Sequence, residues 1–181
     1  MAVLRRHGLS LSPRRLGDLR VNAATWSRDG QLLAYSLDHD IYVAKWDGTE
    51  SHKLMTIADH GVDLEFSPDA KRLRFTSLSL NYRLSLWEVE IDGSGLRQLP
   101  SGFQQDEGEC CGRWSADGRY YFFAFHRGRT DIWALREKAG MFRPGSPDPF
   151  PITTGPLDYF ARLLLWLAIA YSWWENSRED S

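Results

Sequence analysis

Cysteine is scarce, neither sign of charge is in large excess, and no apolar stretch is long enough to cross a bilayer. The 181 residues hold only two cysteines, Cys110 and Cys111, and these are neighbours. Adjacent residues rarely have the geometry of a relaxed mutual disulfide, and two thiols without His or Cys partners at ligand spacing do not make a zinc site. They are expected to serve as small apolar residues at a strand edge, and they leave the redox compartment open. With 22 Lys and Arg against 24 Asp and Glu, the net charge of −2 creates no global field for nucleic acid or anionic lipid. Neither nucleic acid nor membrane is therefore an expected partner of this chain. The longest apolar run, Leu163–Trp174, covers 12 residues, too few for one straight span. The start of the chain lacks the apolar core of an export signal, which makes the cytoplasm the default expectation. Its Arg5, Arg6, Arg14, Arg15 and Arg20 stand against one acid, Asp18. This basic arm (1–20) reads as a solvated tail, with contact to phosphate as the alternative.

Aromatic residues are what the chain has in plenty: eight Trp, seven Tyr and nine Phe. They fall into a pattern. "TWSRDGQLLAYSL" (25–37), "EFSPDAKRLRFTSL" (65–78) and "RWSADGRYYFFAF" (113–125) share one template of aromatic, Ser, any residue, Asp, a small residue, and then an apolar run. Their aspartates, Asp29, Asp69 and Asp117, lie 40 and 48 residues apart. A period of that size signals propeller blades or solenoid units. Each copy continues with a second strand, "DIYVAKW", "LSLWEVE" or "DIWALRE", and the first two copies then turn through "DGTE" and "DGSG". Asp-Gly pairs mark hairpins because both residues tolerate the positive φ of tight antiparallel turns. Alternation in Arg72-Leu73-Arg74-Phe75-Thr76 puts Leu73 and Phe75 on one face of a strand. Residues 21–155 show no helical periodicity.

The expected fold is all-β, a partial propeller of about three four-stranded antiparallel blades. The units are 21–57, 58–104 and 105–155, the last with an inserted surface loop, "REKAGMFRPGSPDPF". Trp26, Phe66 and Trp114 are expected to pack between neighbouring blades. Ser27, Asp29, Gly30, Ser67, Asp69, Ser115, Asp117 and Gly118 are expected to build the repeated turn. Asp40 and Asp131, with Trp133, are expected to orient the second strand. The run "YYFFAF" reads as a strand buried on both faces.

A search for chemistry finds no Gly-x-Ser-x-Gly, no Walker-type glycine loop and no His-Glu-x-x-His. The five histidines, His7, His39, His52, His60 and His126, are scattered. Asp38, His39 and Asp40 are consecutive, and successive strand residues point to opposite faces, so they cannot converge on one ion. Asp106, Glu107 and Glu109 read as solvated loop charge; the alternative, a carboxylate pair for glycoside hydrolysis, lacks the other walls of a pocket. No catalytic residue, metal or cofactor is expected.

The template Trp/Phe-Ser-x-Asp-Gly, then Asp-Ile-Tyr or Asp-Ile-Trp, then Asp-Gly, resembles the TolB-like repeats, also described as WD-repeat-like. The resemblance covers roughly residues 20–155. More narrowly, "GECCGRWSADGRYYFFAFHRGRTDIWALREKAGMFR" is similar to the C-terminal propeller region of bacterial, especially acidobacterial, winged-helix transcription regulators. The resemblance implies a sensory or protein-interaction module that binds a protein or small ligand at blade-end loops, as a fragment of a larger regulator. Relatives also include the propellers of prolyl-oligopeptidase-type enzymes, whose catalysis sits in a separate domain, so a hydrolase remnant is the alternative. Three blades leave open apolar faces that a second copy could cover to complete the ring. Residues 156–181 begin like a fourth blade with "PLDYF" and then lose the template. Two readings fit: an out-of-frame tail, making the chain a truncated product, or a genuine amphipathic helix.

Overall fold

Turn chemistry and two-residue alternation cut the chain into twelve strands in the computed structural model, which describes residues 21–99, 108–127, 129–137 and 148–153. They form three four-stranded antiparallel sheets, each a simple up-and-down meander. The first holds β1 (Ala23–Trp26), β2 (Leu32–Leu37), β3 (Asp40–Lys45) and β4 (His52–Thr56). The second holds β5 (His60–Phe66), β6 (Arg72–Leu78), β7 (Leu84–Glu90) and β8 (Arg97–Leu99). The third holds β9 (Gly108–Trp114), β10 (Tyr120–Arg127), β11 (Arg129–Arg136) and β12 (Phe150–Pro151). No helix occurs among the described residues.

The sheets stack face to face, and the core lies between them. Ala34, Ile41 and Val43 of the first sheet meet Leu64, Phe66, Leu73, Phe75 and Val89 of the second. On the other side of the second sheet, Leu86 and Leu99 meet Tyr121, Phe123, Phe125 and Leu135 of the third. The middle sheet is covered twice, so β6 is buried from Leu73 through Ser77, on both faces. The same aromatic cross-strand pair recurs in every sheet: Tyr35 opposite Tyr42, Phe75 opposite Trp87, and Phe123 opposite Trp133.

β5 and β9 each break register by one residue against the next strand. Each bulge holds a non-glycine residue at positive φ, Asp63 at 52° and Cys111 at 63°. Two expectations change here. Cys110 and Cys111 are joined as a vicinal disulfide, because the left-handed turn at Cys111 gives adjacent residues an approach that a regular strand denies them. The strand "YYFFAF" is buried on one face only: Tyr121, Phe123 and Phe125 are sealed against the second sheet, while Tyr120, Phe122 and Ala124 are half-buried. On that half-open side Tyr120 stacks near Phe122 and meets Phe150 edge-on. The inserted loop and the tail lie outside the described residues, apart from the insertion's Arg136, Glu137 and Asp148–Phe150.

Candidate functional site

The repeated turn closes the same end of all three sheets with one set of hydrogen bonds. Ser27 Oγ donates to Asp29 Oδ1 at 2.6 Å and accepts from the Leu32 amide at 2.9 Å, while Asp29 Oδ1 accepts from the Gln31 amide at 3.0 Å. Ser67 and Asp69 repeat this with Lys71 and Arg72, and Ser115 and Asp117 repeat it with Arg119 and Tyr120. The serine bond is the main reason that Asp29 and Asp117 sit below the usual carboxylate range; at Asp69 partial burial opposes it and does not win. Gly30 and Gly118 take the left-handed position, each at φ 69°, and Ala70 takes it in the second turn at 55°. In each copy the serine hydroxyl and one carboxylate oxygen are bonded within their own turn. The chemistry left to it is structural.

The second-strand positions follow the same logic. Tyr42 donates from its hydroxyl to Asp40 at 3.3 Å, and Trp87 Nε1 donates to Ser85 at 2.9 Å, so the aromatic tip is held by the residue two before it. Asp40 also accepts from Thr56 Oγ1 at 2.5 Å, tying β3 to β4. Asp131 and Trp133 occupy the matching places on β11, with Trp133 tilted against Phe125 at 5.1 Å. Phe66 is buried in the first inter-sheet core, Trp114 packs against the second, and Trp26, in the first sheet, donates from Nε1 to the Trp46 carbonyl at 3.2 Å.

At the opposite end the connections differ from one another. The Asp38–His39 turn and the Ile57–Asp59 link bring His39 and His60 together, ring centroids 4.8 Å apart and nearly parallel. His39 Nδ1 lies 3.0 Å from the Asp59 carbonyl and His60 Nδ1 lies 3.3 Å from the Asp38 carbonyl. Asp38, His39 and Asp40 thus face three different sets of partners. The β6–β7 loop, 79–83, is a closed turn: Ser79 accepts the Arg83 amide on Oγ at 3.0 Å, and its carbonyl accepts the Tyr82 amide at 2.9 Å. It holds Leu80 and Tyr82 at 90% and 85% exposure. Tyr82 is left-handed, φ 60°, a conformation rare and costly for a bulky side chain. Sequence reading passed over these two residues; the signal was present as large apolar residues inside "SLNYR", where turn residues are due. Asp106 and Glu107 lie outside the described residues; Glu109, expected as solvated loop charge, is instead buried, because β9 begins at Gly108 and carries it into the third sheet opposite Phe125.

A second feature missed from sequence is a charge cluster in the seam between the second and third sheets. Arg74, 2% exposed on β6, donates from Nε to Glu88 at 2.7 Å and from Nη2 to Glu137 at 2.5 Å. Its guanidinium lies over the Trp114 ring at 4.2 Å and the Tyr121 ring at 4.3 Å, measured to the ring centroids, the two rings meeting each other edge-on. Arg72 and Arg97 complete the set around Glu88. Burial works to raise the Glu88 carboxyl, but the three guanidiniums outweigh it and hold the group low.

No protein-family model and no curated protein matches the chain. Solved structures do. TolB from Agrobacterium tumefaciens is similar over 74% of this chain and 48% of its own length, at 16% identity and a TM-score of 0.55. The fold is a partial, TolB-like β-propeller. TolB from Acinetobacter baumannii is similar over 75% of this chain and 32% of its own length, at 18% identity and a TM-score of 0.55. The tricorn protease is similar over 77% of this chain and 18% of its own, at 10% identity and a TM-score of 0.60. The chain therefore spans about half or less of the propeller proteins it matches. The three sheets are three blades, with β1, β5 and β9 as the leading strands.

Proposed function

We propose that this chain is a non-catalytic binding module, a propeller arc that presents the loop end of its second blade to a protein partner. The observation that carries the reading is the 79–83 turn. Its backbone is hydrogen-bonded shut, yet it holds Leu80 and Tyr82 almost wholly in water, with Tyr82 in a strained conformation. Strain and exposed apolar area both cost stability, and such costs collect where a surface is used. The loop end is also where blades differ from one another, while the opposite end repeats. A place in a larger regulator, which the sequence resemblance implies, suits a module of this kind. The alternative of a propeller hydrolase gains no particular support from the tricorn likeness, which is one of fold.

The test is selection of displayed random peptides on the full chain, followed by titration against a variant carrying Leu80→Ser and Tyr82→Gly. Enriched peptides should lose at least about tenfold in affinity for the variant, a change of about 1.4 kcal/mol. Relief of the left-handed tyrosine should at the same time stabilise the variant by roughly 1 kcal/mol, read as a higher unfolding midpoint. Equal binding to both chains, or turnover of ester, peptide or glycoside substrates that survives purification, overturns the reading.

A further inference from the structure

The leading strands of the second and third blades carry an unbalanced charge group. Asp63, in the β5 bulge, and Glu65, two residues on, both face Arg113 of β9. Arg113 Nη1 lies 2.9 Å from Asp63 Oδ1 and 3.6 Å from Glu65 Oε2, and it also donates to the Gly112 carbonyl at 2.7 Å. Two carboxylates thus share one guanidinium. Arg74, directly opposite Glu65 in the β5–β6 register, bonds Glu88 and Glu137 through Nε and Nη2 and makes no hydrogen bond to Glu65, its Nη1 being buried without a partner. Arg72 is likewise held by those two acids. Behind the group stands the buried phenol of Tyr121. Asp63 Oδ2 and the Tyr121 hydroxyl are both buried without a hydrogen-bond partner. Asp63 and Glu65 keep 20% and 25% of their side-chain exposure against 43% for Arg113, so the two carboxylates are less solvated than the guanidinium they share.

We infer that Glu65 is a proton-operated latch between the second and third blades: the seam is matched when Glu65 is protonated, one carboxylate to one guanidinium, and loosens when it ionises. Burial pushes the Glu65 carboxyl up to about 7, Asp63 adds to the rise, and Arg113 offsets only part of it. A carboxyl whose folded value lies above its unfolded value binds more protons when folded. Its contribution to stability is present at acid pH, falls as pH rises from the ordinary carboxylate range towards 7, and is gone above 7.

The experiment compares the full chain with Glu65→Gln and Asp63→Asn by amide hydrogen exchange and thermal unfolding between pH 5.5 and 8.5. In the unaltered protein, protection factors of the β9 and β10 amides, corrected for intrinsic rates, should fall about tenfold or more across this range. Glu65→Gln should flatten the profile and be the more stable chain at pH 8.5. Asp63→Asn should keep the transition and move it to lower pH, and this second variant gives a reading even if the first folds poorly. A Glu65→Gln profile that follows the unaltered protein, or a transition unmoved by Asp63→Asn, overturns the inference.

Discussion

Gly112 is glycine because the Tyr121 phenol occupies the place of a side chain. A Cβ added there would sit 2.0 Å from the Tyr121 oxygen, a distance no real contact tolerates. One repeat earlier the same two positions are Leu64 and Leu73, both buried. The third blade has exchanged two medium side chains for nothing and a large ring, conserving the filled volume. Gly112→Ala is therefore expected to destabilise the protein by about 1–3 kcal/mol, the usual cost of overpacking, read as a drop in the urea midpoint at unchanged slope. Installing both leucines, Gly112→Leu with Tyr121→Leu, should recover most of that loss, whereas Gly112→Leu alone should be worse than alanine. The exchange was not legible in sequence: "GECCGRW" shows a glycine in a strand, and only the packed blades show what fills its place.

The Ser-x-Asp turn is an element that folds from its own parts. Serine, aspartate and the next two amides satisfy one another within a six-residue span, so the motif reads the same in sequence and in space. Its one irregular copy provides a test. Ala70 stands at φ 55° where the sister turns have glycine, and alanine pays for the left-handed conformation. Ala70→Gly is expected to stabilise the protein by about 0.5–1 kcal/mol, net of the greater freedom glycine has in the unfolded chain, and to raise the melting temperature accordingly. The bulges of β5 and β9 were not legible, because a one-residue slip is a matter of how two strands pair and leaves no turn residue behind. The vicinal disulfide follows from such a bulge and was missed for the same reason.

Across the molecule, the blades are joined by two different kinds of seam. The first is apolar, and "LRF" with "DIYVAKW" announces it through alternation. The second adds a buried guanidinium whose two acids come from different blades, Glu88 and Glu137. Removing one partner of such a group leaves charge stranded in the interior. Arg74→Met is expected to cost about 3 kcal/mol or more in urea unfolding, since it takes a buried guanidinium from Glu88 and Glu137, leaves their charge to Arg72 and Arg97, and ends the contacts with the Trp114 and Tyr121 rings. Arg97→Ala, at the exposed rim of the same cluster, should cost under about 1 kcal/mol. Sodium chloride at about 1 M should erase the second effect and leave the first, because salt screens exposed pairs far more than buried ones.

The sequence by itself determined the strands, their turns and the blade repeat. Alternation and turn chemistry act over a few residues, and the template occurs three times. It also indicated that the shared motif is structural. Tertiary structure decided which strand faces are sealed, where the register slips, and which charges are buried together. Arg74 and Glu137 are 63 residues apart, Arg113 and Asp63 are 50 apart, and no local pattern links either pair. Only stacking one blade on the next brings them within bonding distance and withdraws the water that would otherwise keep them independent.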